Sequence, residues 1–255
     1  MKSKWIKFSA LSRQDKIFRA VNLAITAAQF AACIALAVYY ITIDDPDNRV
    51  FSSFGIAAVT VLPLIGELIF RRRLNNLIYF AIQLYCLLAG FVGSVLNVYY
   101  LVSWYDIFIH TLAGYIFSVA GIFIVARLEN YSKLSKWTVL VFCFCFTMMC
   151  ELVWELAEWT ADLFFNQTAQ GLPLPGQDAP LVTDTMIDIF CNFIGGLVFA
   201  IQFIIGKCTK CSLGIKFYEK HLATKAFESQ PAVENDGAFA ISDRSNQTPP
   251  KSEDK

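Results

Sequence analysis

Charge is scarce in this chain. Asp, Glu, Lys and Arg make up 16% of its residues, where a soluble domain carries about a quarter. Apolar groups fill the gap: the chain is 56% hydrophobic, with 23 Phe among 255 residues. A mean hydropathy of +0.50 points the same way, to lipid as the solvent. Short alternating segments are missing as well. A transmembrane barrel needs strands of about 10 residues with every second side chain apolar, and the apolar runs here are too long and continuous for that. A disulfide framework is also absent, since Cys33, Cys86, Cys143, Cys145, Cys150 and Cys191 fall inside apolar runs, where free Cys acts as a small apolar group. The remaining pair, Cys208-x2-Cys211, has no second pair and only His221 nearby, a weak signal for zinc. A cleaved signal peptide has an apolar core of about 7–15 residues; the first run is much longer and reads as a retained span. No internal repeat stands out.

The sequence instead contains six apolar runs, at about 20–42, 50–70, 76–101, 105–127, 137–163 and 183–206. Each approaches the roughly 20 residues a helix needs to cross a hydrocarbon core of about 30 Å. The expected fold is therefore all-α, a polytopic membrane bundle of about six transmembrane helices. Residues 16–206 form the membrane domain. Residues 1–15 read as a cytoplasmic leader, either interfacial or disordered, and 207–255 as a polar cytoplasmic tail, largely disordered.

Basic residues divide the loops into two classes. They precede run one, separate runs two and three (Arg71, Arg72, Arg73) and runs four and five (Arg127, Lys133, Lys136), and follow run six. Of 21 Lys and Arg, Arg49 alone falls in a loop of the other class. The positive-inside rule then places both termini in the cytoplasm of a cell membrane. Trp104 and Trp159 mark the outer boundary and Trp137 the inner one. Glu67, near Arg71, reads as an interfacial ion pair. The loop at 164–182 reads as a lid or a simple connector, and Asn166-Gln167-Thr168 fits a sequon.

Three segments break the apolar pattern with acids and contain neither Lys nor Arg. They are Tyr105-Asp106-x3-His110, Glu151-x3-Glu155-x2-Glu158-x3-Asp162, and Asp184-x3-Asp188-x3-Asn192. Ionisable groups inside a membrane are costly and mark functional sites. Spacings of three and four keep each set on one helical face. With a rise of about 1.5 Å per residue, the three stripes meet in the outer half of the bilayer. Seven carboxylates facing one imidazole cannot all remain ionised without a cation or protons. His110, Glu155, Glu158 and Asp188 are the candidate metal ligands. Mg, Mn or Ca suits the oxygens, and the one His admits Zn. Asp106 is placed to orient His110, and Glu151 to act as general base or proton store. Tyr105, Asp184 and Asn192 are supporting polar groups. A network of protonated carboxyls and plain structural hydrogen bonding are the competing readings, and Asp106, Asp162 and Asp184 also suit solvated caps at span ends.

The motifs Tyr105-Asp106-x3-His110-x3-Gly114, Trp154-Glu155-x2-Glu158-Trp159 and Asp184-x3-Asp188-x3-Asn192-x2-Gly195 resemble the YjdF-like family of bacterial inner-membrane proteins, and more distantly the VanZ-like family. The likeness covers roughly residues 50–206. It departs at Ile107, where a basic residue is expected, and in a shorter polar stretch before Asp184. The resemblance implies a six-helix protein of the bacterial inner membrane. No phenotype is carried over from the VanZ-like likeness. Three functions are compatible with this pattern: a metal-dependent enzyme on a lipid or lipid-linked substrate, a proton- or cation-coupled transporter, or a non-catalytic accessory membrane protein. The expected partners are membrane lipid and a lipid-linked or small-molecule substrate, with no nucleic acid.

Overall fold

The computed structural model describes residues 13–45, 49–70, 73–128, 134–165, 167–170 and 182–209. Among these there are helices and no strands. α1 is Arg13–Thr42, α2 Arg49–Phe70, α3 Asn76–Tyr85, α4 Val98–Leu101, α5 Tyr105–Leu128, α6 Lys136–Phe165 and α7 Val182–Cys208. Six helices are long and apolar enough to cross a membrane, as the six runs require. Most of the leader and tail, part of the 164–182 loop, Asn166, Cys211 and His221 lie outside the described residues.

The third run is not a single α-helix. α3 passes at Cys86 into a π-helical segment, Cys86–Val95, in which Leu96 donates to the Phe91 carbonyl at 2.9 Å. Asn97 then turns the chain with φ 64°, a left-handed conformation that Asn tolerates better than most residues. π-turns within helices cluster at functional sites. Composition does not encode this change, because an apolar run looks the same at either pitch.

Burial is inverted relative to a soluble protein. The inner face of α1 is Arg19, Asn22, Thr26, Gln29, Cys33, Ala37 and Tyr40, while Ile17, Val38 and Ile41 are exposed. Polar groups turn inward because lipid cannot hydrogen-bond them. Sequence reading passed over this stripe, although its steps of three and four were visible. Arg19 pairs with Glu67 in a buried salt bridge, and Leu74 N–H donates to Glu67 at 2.8 Å. A partner of Glu67 thus stands 48 residues away; Arg71 lies outside the described residues.

α1, α2 and α3 pack together, as do α5, α6 and α7, and the π-helical segment and α3 join the two sets by contacting α5. Small residues set the closest approach. A Cβ on Gly114 would lie 2.1 Å from the Asn192 carbonyl oxygen, and one on Gly195 would lie 2.0 Å from that of Thr111. The backbones of α5 and α7 touch where glycine permits it. That contact brings the acidic stripes together.

Candidate functional site

His110 is the hub, only 2% exposed. It sits on the second turn of α5, one turn beyond Asp106, and the Gly114–Asn192 contact holds this face of α5 against α7. Its Nδ1 lies 2.6 Å from Glu151 Oε1 and 3.9 Å from Glu155 Oε1. Its Nε2 lies 3.4 Å from Asp106 Oδ1 and 3.9 Å from Asp188 Oδ1. One imidazole therefore faces carboxylates from three helices.

Glu151 is engaged on both oxygens. Asn192 Nδ2 donates to its Oε2 at 2.7 Å, while Oε1 faces His110. Thr147 donates to the Gly114 carbonyl at 3.1 Å and to Asn192 Oδ1 at 3.3 Å. The chain Thr147–Asn192–Glu151–His110 crosses all three helices without a charged donor, apart from whatever proton the imidazole carries. Such a network fixes ring orientation, because each member has its partner.

Other acids lack that satisfaction. Both oxygens of Glu155 and Oδ1 of Asp188 are buried with no hydrogen-bond partner. Two groups of ligand atoms converge, each within 4.8 Å of one another: Asp106, His110 and Asp188, and His110, Glu151 and Glu155. Both include His110. A buried carboxylate oxygen without a donor is costly, so these atoms call for a cation or a proton.

The remaining site residues fall around this hub. Glu158 is half-buried, outside both converging groups, yet within electrostatic range of Glu155, His110, Asp106 and Asp188. Asp184 is half-buried and interacts electrostatically with Asp106, His110 and Asp162. Tyr105 donates to the Leu88 carbonyl at 3.0 Å, tying α5 to the π-helical segment. Asp162 accepts from the backbone N–H of Ala169 at 2.7 Å and of Gln170 at 3.0 Å, so it caps the following turn. Gln170 in turn donates to Thr185 at 2.9 Å, a link from this loop to α7 that no sequence motif announced. Trp104, Trp137 and Trp159 are all about half-exposed or more, as side chains in contact with lipid would be.

No curated protein and no solved structure matches the chain. A family model described as "Predicted membrane protein (DUF2238)" matches residues 24–207. That stretch runs from α1 to the end of α7 and contains every acid of the cluster, so the chain belongs to this family of YjdF-like membrane proteins.

Proposed function

We propose that the cluster binds one divalent cation and serves a membrane-embedded enzyme acting on a lipid or lipid-linked substrate at the extracytoplasmic side. One observation carries this reading. Glu151 occupies His110 Nδ1, which leaves Nε2 facing Asp106 and Asp188, while Asp188 Oδ1 is buried without a donor. A histidine that ligates a metal through one nitrogen commonly donates from the other to a carboxylate. On this reading Glu151 is the orienting partner and Asp106, His110 and Asp188 are the ligands. Two oxygens and a nitrogen suit Mg, Mn, Ca or Zn.

Such a cation activates water or polarises a phosphoryl oxygen. The chain's own residues supply the rest. Glu155, unpartnered and adjacent to His110, takes the role of proton acceptor. Glu158 and Asp184, both half-buried, line the approach. The positive-inside distribution supports an extracytoplasmic opening.

Elemental analysis of detergent-purified protein tests the assignment. Wild type is expected to retain about one divalent ion per chain, His110→Ala and Asp188→Asn to lose it, and Glu155→Gln and Glu158→Gln to keep it. Unchanged metal content in His110→Ala and Asp188→Asn rejects the ligand set.

A proton- or cation-coupled carrier is the second reading. It draws on the buried polar face of α1, which extends from Arg19 through Asn22 and Thr26 to Gln29. Uptake by protein reconstituted in proteoliposomes separates the two.

A further inference from the structure

Two phenols face the acid cluster from outside the three acidic helices. Tyr85 closes α3, and Tyr99 sits in α4. Tyr85 is within electrostatic range of Glu151, Glu158 and Asp106, and Tyr99 of Asp106, Glu158 and Tyr85 itself. Glu158, half-buried on α6, is common to both. Tyr85 and Tyr99 are half-buried as well, and neither hydroxyl makes a hydrogen bond among the described residues. Neither oxygen is sealed in the interior, in contrast to the orphaned oxygens of Glu155 and Asp188.

The backbone irregularities of the third run hold these two rings in place. α3 gives way to the π-helical segment immediately after Tyr85. Left-handed Asn97 then turns the chain so that α4 lies back on that segment, where a Cβ on Gly93 would collide with the Tyr99 ring. Glycine admits the ring at that point. α5 completes the frame. The Tyr85 ring meets Phe117 edge-on at 5.4 Å, and the Tyr99 ring meets Tyr105 at 5.5 Å. Rings constrained in this way lose little rotamer freedom when their hydroxyls donate.

Resting on the metal-dependent enzyme reading of the same cluster, we infer that Tyr85 and Tyr99 donate hydrogen bonds to an oxygen of the substrate headgroup, and that this headgroup carries one negative charge, as a lipid phosphodiester does. Negative charge on a reacting oxygen needs preorganised donors, and the three acidic stripes contain no Lys or Arg. A diester phosphate has two non-bridging oxygens, one for the cation and one for the phenols. Charge narrows the class. Asp106 and Asp188 already balance the two charges of a divalent cation, so each further negative charge meets Glu155, Glu158 and Asp184. Like charges brought together in this way are costly. Phenols supply donors without requiring a counter-charge of their own.

Calorimetric titration of the full-length, cation-loaded protein in detergent with dihexyl phosphate tests this inference. Hexyl phosphate at about pH 8, where a monoester carries about two negative charges, is the contrast. Wild type is expected to bind the diester roughly tenfold more tightly than the monoester. Tyr85→Phe and Tyr99→Phe keep the ring and remove only the hydroxyl. Each is expected to weaken diester binding about tenfold, the equivalent of one hydrogen bond, with cation content unchanged. Equal diester affinity in wild type and both Phe variants, with the cation retained, overturns the inference and leaves the metal site standing. Loss of the cation from the Phe variants overturns it too, by assigning the phenols to the metal centre. So does cation-loaded wild type that fails to bind the diester or prefers the monoester, a comparison that needs no variant. Wild type that holds no cation overturns both readings.

Discussion

His110 Nδ1 lies 2.6 Å from Glu151 Oε1, and both groups are only 2% exposed. The imidazole is thereby held on one nitrogen by a carboxylate on another helix, 41 positions along the chain, while Asp106, one turn away, faces the other nitrogen at 3.4 Å. Glu151 is in turn held by Asn192. This pairing leaves Nε2 toward the two acids whose oxygens converge on it.

If Glu151 orients the ring without touching the cation, Glu151→Gln and Asn192→Ala should weaken metal binding without abolishing it. A loss of roughly 10–100-fold in affinity is expected for such outer partners. Titration of metal-stripped protein measures it. Loss as complete as in Asp188→Asn would place Glu151 among the ligands.

The α5–α7 contact should not tolerate a methyl group. Gly114→Ala and Gly195→Ala each set a Cβ near 2 Å from a backbone oxygen of the other helix, and each is expected to cost about 3 kcal/mol. Gly55 and Gly66 have nothing within 4 Å of an added Cβ. Alanine there should be neutral or should stabilise by about 0.5–1 kcal/mol. Unfolding in a mixed detergent titration compares the two pairs.

The Arg19–Glu67 bridge, buried on both sides, predicts strong asymmetry in a double-mutant cycle. Arg19→Met or Glu67→Gln alone strands its partner and should cost about 3–5 kcal/mol. The double substitution should cost less than either single change. Simple additivity of the two losses would show that the pair is not coupled.

Asn97 holds the left-handed turn after the π-helical segment. Asn97→Gly should be tolerated, whereas Asn97→Val should destabilise by at least 1–2 kcal/mol, because a β-branched side chain resists positive φ. Equal melting temperatures for the two variants would refute this account.

Several features were legible because they depend on local periodicity. The acids of α6 were read as one face from their 4-3-4 steps, and Glu151 and Glu155 are indeed buried there together. His110 and Asp188 were singled out by depth in an apolar run, and they approach to 3.9 Å. Asp162 shares the stripe of Glu155 yet serves the loop after α6, since a residue at a helix end can turn to whichever backbone donors the next segment presents. Which acid meets which nitrogen of His110 was unreadable for a related reason. Asp106 has the i,i+4 spacing that suits a histidine partner, but only the rotation of α6 against α5 decides that a Glu151 oxygen meets Nδ1.

The amino-acid order by itself settled the solvent, the number of spans and the inward side of the acidic helices, because these follow from the cost of exposing polar groups to lipid and from 3.6 residues per turn. It did not settle which nitrogen of His110 meets which acid, that Glu67 answers to Arg19, or that the third span changes pitch at Cys86. The first was decided by how α6 is rotated against α5 and the second by the packing of α1 on α2. Contacts between side chains distant in sequence depend on the angle and register of whole helices, and no local pattern records them.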